Sequence, residues 1–508
     1  MRMFKYLIPL NLLLLLNFSN VEPVVNIDGT IINGSHKNGV HSFLGVPFAL
    51  PPIGELRWQP PKPWNHPDAE INAKDFKPAC MQNNRIVNWY KRLVRDFGSN
   101  PNIFKSPEFS EDCLYLNIWK PATTDHNLPV LVYIHGGSNK AGWSYEPNYH
   151  GHKIVRKDVI LVSIPYRLGV FGFFPHPENK NPNLALLDQI LALQWINKNI
   201  SNFDGDPNNI TLIGESAGAG SISHLLVSPK SKGLFQKAIH QSGGSSLSYP
   251  TDKNYETALA IKFTDFLEKK FKMDNSIENF KKLSSKEILD ASEIVYKDHY
   301  YNYIDDGITI NEPIINTVKN GKIHNIDLII GSNNDEYSLY FGGIADVDGW
   351  LNAEVSDKQK NKLTKLLSNI DDPIRKLDLL ITAKNFVCPS LLIAKTVNLS
   401  GGNSWVYQFN RVRDDPKALK YGAFHGAELP YVFDTHDEWL PTNDIDRKIT
   451  EEVQSYWVQF SKTGNPNLEQ KMWDPYSAQT NSTFIINEKS YSSSHPSYEI
   501  CKIMEPSW

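Results

Sequence analysis

The sequence predicts an α/β fold: a large, mostly parallel central sheet with helices on both faces and helical regions inserted around it. Three observations predict it. Short runs rich in Val, Ile and Leu recur along the chain, as in strands covered on both faces. Helical patterns lie between these runs. One run leads into a serine flanked by glycines, where a strand meets the start of a helix.

The expected strands are "LPVLVYIH" (128–135), "DVILVSIPY" (158–166), "ITLIGES" (210–216), "FQKAIHQSG" (235–243), "IDLIIGSN" (326–333) and "SWVYQFN" (404–410). The segment "NLALLDQILALQWINKNI" (183–200) places Leu184, Leu187, Leu191 and Trp195 at helical spacing. Segments 251–300 and 336–403 are more polar and read as helical, with "SDKQKNKLTKLLSNI" (356–370) as an example. They are expected to form an accessory region around the sheet. No internal repeat or linker divides the chain, so residues 21–508 are expected to form one domain.

Composition narrows the function classes. The chain has 508 residues, of which 41% are hydrophobic and 21% charged, enough for a large soluble core. A net charge of −4 carries neither a nucleic-acid footprint nor a polybasic membrane patch. The start differs from the rest. Arg2 and Lys5 precede or begin an apolar run from Tyr6 to Leu16, which reads as a secretory signal peptide over residues 1–20. Cleavage is expected between Phe18 and Glu22. The run is short for a membrane span. The ending "EICKIMEPSW" predicts neither a glycolipid anchor nor a transmembrane span. A secreted, extracellular protein is expected.

Four cysteines, Cys80, Cys113, Cys388 and Cys501, fit two disulfides in that compartment, with three possible pairings. None lies in a C-x-x-C, so no metal site is expected, and no cofactor. Sequons at Asn33, Asn199, Asn209, Asn398 and Asn481 fit export. The one at Asn209 leads into an expected buried strand and is not expected to be modified.

"ITLIGESAGAG" (210–220) contains Gly214-Glu215-Ser216-Ala217-Gly218, a G-x-S-x-G pattern. A serine on a sharp strand-to-helix turn needs small neighbours two residues either side, and its hydroxyl then stands above the sheet. The following helix aims its N–H groups at the same place. A serine hydroxyl is a weak nucleophile and needs a base, usually a histidine held by a buried carboxylate. The order expected for this architecture is Ser, acid, His. Among fifteen histidines, His425 in "YGAFHGAELPYVF" stands out, beside Gly426 and before an apolar run. Asp335 and Glu336 leave an expected strand in "LIIGSNNDEYS".

These residues sit in a chain that resembles the type-B carboxylesterases, the carboxylesterase/cholinesterase group of the α/β-hydrolase superfamily. "FLGVPFALPPIGELRWQPP" (43–61), "SEDCLYLNIWKP" (110–121), "PYRLGVFGFF" (165–174), "FDGDPNNITLIGESAGAG" (203–220) and "SYWVQFSKTGNPN" (455–467) carry the resemblance in the family's order. It implies an α/β-hydrolase fold and a serine esterase acting on small-molecule carboxylic esters. It places the nucleophile on Ser216, the acid on Glu336 rather than Asp335, and the base on His425. Glu215 and Glu428 match carboxylates that line the family's site. The resemblance also implies disulfides Cys80–Cys113 and Cys388–Cys501, and a buried Arg57–Glu111 ion pair.

Two alternatives within the resemblance are a choline-specific esterase and a non-catalytic adhesion protein. Cholinesterases carry a tryptophan shortly before the second cysteine of the first disulfide loop. Here Trp89 lies near the start of that loop and Phe104 is nearer the expected place. A general esterase is therefore the expectation. All three triad positions are filled, which disfavours the adhesion reading.

"HGGSNK" (135–140) departs from the family's "HGGGF"-like turn. The resemblance makes the backbone N–H groups of Gly137, Ser138 and Ala217 the oxyanion hole. Ser138 stands where a glycine is usual and Asn139 where an aromatic is usual. If the turn needs a positive φ at residue 138, serine strains it and crowds the hole.

Overall fold

The computed structural model describes residues 22–122, 125–248, 251–469 and 472–505. The expected signal peptide and its cleavage region lie outside the described residues. The core of the fold is an eleven-stranded sheet. Its strands are β1 (Ser35–Lys37), β2 (Val40–Pro47), β3 (Tyr115–Pro121), β4 (Leu128–Ile134), β5 (Ile160–Ile164), β6 (Gly205–Glu215), β7 (Lys237–Gln241), β8 (Asp327–Asn333), β9 (Ser404–Phe409), β10 (Ser482–Ile486) and β11 (Tyr491–Ser494). The spatial order is β11-β10-β9-β8-β7-β6-β4-β5-β3-β2-β1.

From β5 to β10 every neighbouring pair is parallel. At the two edges the pairs β3–β5, β2–β3, β1–β2 and β10–β11 are antiparallel. The six apolar runs of the sequence are β4 to β9. Their residues are almost all buried, because helices cover both faces. Two large hydrophobic clusters lie on either side: one includes Val130, Val132 and Ile134, the other Leu131 and Tyr133. This alternation along β4 is the period of two of a strand between two layers.

The helices bear out the expected alternation, with one difference. Helix α1 (Leu184–Asn199) occupies the expected span. Of the spaced positions Leu184 is buried, but Leu187, Leu191 and Trp195 are only partly so, whereas Leu186, Asp188, Gln189, Ile190 and Leu193 are buried. The helix is packed on more than one side, so a single apolar stripe did not identify its inner face. Helices α2 (Ala217–Leu225), α3 (Lys253–Phe271), α4 (Ser285–Val295) and α5 (Asp357–Leu366) follow. The 251–300 and 336–403 segments are indeed largely helical.

Helix α6 spans Pro373–Leu399 and is long and apolar enough to cross a membrane, yet 83% of its most apolar window is buried inside the molecule. A π-turn at Ala383–Val387 interrupts it. Such single π-turns commonly mark functional sites. This one brings the Phe386 ring to 5.4 Å from the His425 ring.

The disulfides are Cys80–Cys113 and Cys388–Cys501. Arg57 and Glu111 form a buried two-point ion pair, with Arg57 Nε 2.8 Å from Glu111 Oε2. The same guanidinium donates to the carbonyls of Lys281 (2.9 Å) and Leu283 (2.6 Å), tying the N-terminal region to the helical insertion. The Asn209 side chain on β6 accepts from Lys237 on β7.

Candidate active site

The serine turn begins at the end of β6 and runs into α2. Ser216 has φ +55° and ψ −124°, a conformation that side-chain-bearing residues rarely adopt. It is held by its N–H donating to the Gln241 carbonyl at 2.9 Å. The two motif glycines are steric requirements. A Cβ on Gly218 would lie 2.0 Å from the Ile134 carbonyl oxygen, and one on Gly214 would lie 2.8 Å from the Gly218 backbone. The close approach of α2 to β4 explains why only glycine fits at 218.

The other two residues arrive from distant segments. Glu336 follows β8 and is fully buried. His425 lies in the loop after β9. His425 Nε2 is 2.8 Å from Ser216 Oγ, and His425 Nδ1 is 2.6 Å from Glu336 Oε2. The second Glu336 oxygen accepts from the Asn333 N–H at 2.7 Å and the Ser242 hydroxyl at 2.6 Å. Glu336 is therefore fixed from both sides.

Asp335, the neighbouring carboxylate, is engaged elsewhere. Its side chain accepts from the Ala423 N–H at 2.8 Å and pairs with Arg375. Its own N–H donates to the Ala423 carbonyl at 3.0 Å. It thus pins the loop that carries His425 without touching the imidazole by any hydrogen bond.

Glu215 and Glu428 differ in place. Glu215 Oε1 is 3.3 Å from His425 Nε2. Glu428 lies deeper: it accepts from Gln241 Nε2 at 2.9 Å and Asn333 Nδ2 at 2.6 Å. Burial pushes the Glu215 carboxyl up to about 8 and also raises Glu428. Burial by itself lowers His425, but the carboxylates of Glu215 and Glu336 outweigh it and leave the imidazole raised to about 9.

The turn after β4 passes directly over the serine. A Cβ on Gly136 would lie 3.0 Å from the Ser216 Cβ and 2.8 Å from the Glu215 carbonyl oxygen. Gly137 has φ +105°, Ser138 +58° and Asn139 +57°. Residue 138 thus occupies the left-handed region, where serine is strained by roughly 1–2 kcal/mol relative to its preferred backbone. Asn139 tolerates this conformation better than an aromatic would. Its buried amide donates to the Tyr301 carbonyl at 2.7 Å, and its carbonyl accepts from Gly169 N–H at 2.8 Å.

The family model described as the carboxylesterase family matches residues 21–503. The chain belongs to the carboxylesterase family. It is 33% identical over 483 residues to para-nitrobenzyl esterase of Bacillus subtilis, covering 90% of this chain and 93% of that protein. It is 31% identical over 496 residues to cholinesterase of Mus musculus, covering 89% and 80%. A solved structure of a PNB esterase superposes with a TM-score of 0.82 at 30% identity, over 95% of this chain and 99% of that one. The family makes this protein a carboxylic ester hydrolase of the α/β-hydrolase fold.

Two residues of this carboxylesterase that contact the site's framework escaped the sequence reading. Ser242 follows β7 and donates to Glu336. Its signal was its place at the carboxyl end of a strand next to β6, where α/β sheets gather their functional groups. Gln82 reaches the turn after β4 from the first disulfide loop, bonding Gly142, and no local pattern announces it.

Proposed function

We propose that this carboxylesterase is an exported serine esterase that hydrolyses carboxylic esters through an acyl-enzyme on Ser216, with His425 as base and Glu336 as its orienting acid. The observation that carries this reading is the continuous relay from Ser216 Oγ to His425 Nε2 (2.8 Å) and from His425 Nδ1 to Glu336 Oε2 (2.6 Å).

The chemistry follows from the relay. His425 takes the hydroxyl proton as Oγ bonds the ester carbonyl carbon, and the carbonyl electron pair moves onto oxygen. The N–H groups of Gly137, Ser138 and Ala217 receive that oxyanion. Ala217 is the first residue of α2, so its N–H has no acceptor within the helix. Collapse of the intermediate expels the alcohol oxygen, which leaves with the proton from His425. Water then gives a proton to the same imidazole as it attacks the acyl carbon, and collapse breaks the bond to Oγ, which takes that proton back from His425 to release the acid and free Ser216. Glu336 holds the Nδ1 proton and stabilises the imidazolium at both stages.

Neutral esters are the favoured substrates over choline esters. Phe104 is fully buried, stacked on Tyr90 at 4.4 Å and edge-on to Trp439, so its face is already covered. Trp89 packs against Tyr90 at 4.9 Å. Phe104, the ring nearer the position where cholinesterases carry their tryptophan, is therefore not free to take a quaternary ammonium by cation–π attraction. The two disulfides support export.

A fluorophosphonate probe should label the protein at Ser216, and Ser216→Ala should abolish both labelling and hydrolysis of a neutral aryl acetate. Folded protein that resists labelling would overturn the catalytic reading and favour a binding protein. Faster turnover of acetylthiocholine than of the neutral aryl acetate would overturn the substrate preference.

A further inference from the structure

The oxyanion turn is anchored at its upstream end by β4, which lies in the middle of the sheet. Its downstream end, Ala141–Gly142, belongs to no strand or helix. Something else must hold it, because backbone donors stabilise an oxyanion only when they are fixed in advance. The structure supplies a side chain for this. Gln82 Oε1 accepts from the Gly142 N–H at 2.8 Å, and Gln82 Nε2 donates to the Gly142 carbonyl at 2.7 Å. Both polar groups of one residue are thus satisfied by one primary amide, as a neighbouring strand would satisfy them.

Gln82 is itself held firmly. It is 2% exposed, and its Nε2 also donates to the Cys80 carbonyl at 3.1 Å. Cys80 is fixed by the disulfide to Cys113 and by pairing with Ser110. The clamp therefore runs from the disulfide through Gln82 to Gly142.

Gly142 in turn touches the donor end of the turn. It has φ +104°, and a Cβ there would lie 2.5 Å from the Gly136 carbonyl oxygen and 2.7 Å from His135 Nδ1. Gly136 is bonded to Gly137, the first proposed donor. The Gly137 carbonyl closes the loop by accepting from the N–H groups of Lys140 and Ala141, each at 3.1 Å. A displacement of Gly142 is passed to Gly136–Gly137 across these contacts.

We propose that Gln82 is a positioning residue for ester hydrolysis: its amide, anchored by the Cys80–Cys113 disulfide, clamps Gly142 and so sets the oxyanion donors over Ser216. This rests on the assignment of Gly137, Ser138 and Ala217 as the oxyanion hole. Gln82 itself does not touch the reacting atoms. Its effect falls on the tetrahedral state and leaves ground-state ester binding nearly unchanged.

The test compares the full-length enzyme with Gln82→Met, which keeps the bulk and removes both bonds, and Gln82→Glu, which keeps an acceptor and loses the donor. Two quantities are read: kcat and KM on a neutral aryl acetate, and affinity for an aryl trifluoromethyl ketone, whose serine adduct carries the oxyanion. Gln82→Met should lose on the order of 10²-fold in kcat, the scale of a small misplacement at a reacting centre. KM should barely move, and ketone affinity should fall by a similar factor. Gln82→Glu should fall between Met and wild type. Folded Gln82→Met with unchanged kcat and ketone affinity, and only a lower melting temperature, would overturn the proposal.

Hydrogen exchange on the wild-type enzyme reads the clamp even if both variants fail to fold. The Gly142 amide should be strongly protected in the free enzyme, and rapid exchange there would overturn the clamp. Failure of the underlying assignment looks different: wild-type enzyme would label at Ser216 yet show no preference for the ketone over its non-fluorinated analogue.

Discussion

Glu215 Oε1 stands 3.3 Å from His425 Nε2, the nitrogen that faces Ser216. A carboxylate at this place favours the imidazolium, which is the wrong protonation state for a base at the start of a cycle. Burial works against the charge on His425, but Glu215 and Glu336 raise it to about 9. The proposed mechanism needs neutral His425 for attack, so kcat/KM should rise with pH through a range above the ordinary histidine value and fall below it. Glu215→Gln removes one raising charge and should move the acid limb of the kcat/KM profile down by roughly a unit. An unmoved limb in the variant would reject this coupling. The sign for stability is the reverse. Charged His425 stabilises the fold below the ordinary histidine pKa, and that contribution is lost as pH rises through the raised value.

Ser242 gives Glu336 one of its two donors outside the proposed triad. Ser242→Ala removes a hydrogen bond to a charged group, a contribution of about 1.5–3 kcal/mol. A fall of roughly tenfold or more in kcat is expected, with KM nearly constant. Steady-state kinetics on a small aryl ester checks it, and an unaltered kcat would show that Asn333 and His425 suffice to fix the carboxylate.

Ser138 stands at φ +58° in the proposed oxyanion turn. Ser138→Gly relieves the left-handed strain and removes a Cβ and hydroxyl from the turn that crosses Ser216. Activity on bulky esters and the rate of organophosphate labelling should rise, while small acetates change little. No change, or a fall, on bulky substrates would reject the crowding argument and point to the hydroxyl as a useful donor.

The Cys388–Cys501 disulfide closes a loop with a sequence separation of 113. It ties α6 to the C-terminal helix Tyr498–Met504. The double substitution to alanine should lower unfolding stability by about 4–5 kcal/mol in the chain-entropy model. Urea denaturation of the two proteins measures this. The Cys80–Cys113 loop has a separation of only 33, so its loss should cost about 3–4 kcal/mol in stability. By the Gln82 argument it should cost disproportionately more in kcat.

The fold was legible because each central strand advertises itself. A strand covered on both faces must be apolar along its buried length, and residues 128–134 and 328–330 are so. The helix at 184–199 was legible as a helix but not in its orientation. Its partly buried positions Leu187 and Leu191 are as apolar as the buried Leu186 and Leu193, so composition could not rank them.

The serine turn was legible for a local reason. Gly214 and Gly218 are demanded by contacts within a few residues of Ser216 and by the adjacent strand. The histidine and the acid carry no such local demand. From the residues themselves His425 was one candidate among fifteen histidines, and Asp335 stood beside Glu336 as an equal choice. Family resemblance selected Glu336. The geometry then explains the difference: Asp335 is committed to Ala423 and Arg375, while Glu336 faces the imidazole.

The sequence by itself therefore determined the sheet, the cysteine count and the glycine-flanked serine turn, because these depend on burial and on backbone sterics over short spans. Tertiary structure supplied the Glu336–His425 contact that the residues themselves left open beside Asp335, and it alone decided that Glu428 lies behind rather than beside the imidazole and that Gln82 holds Gly142. Those contacts join residues 89, 187 and 60 positions apart in the chain. A hydrogen bond at that separation leaves no periodic or compositional trace, since it depends only on where the packed elements bring two side chains within 3 Å.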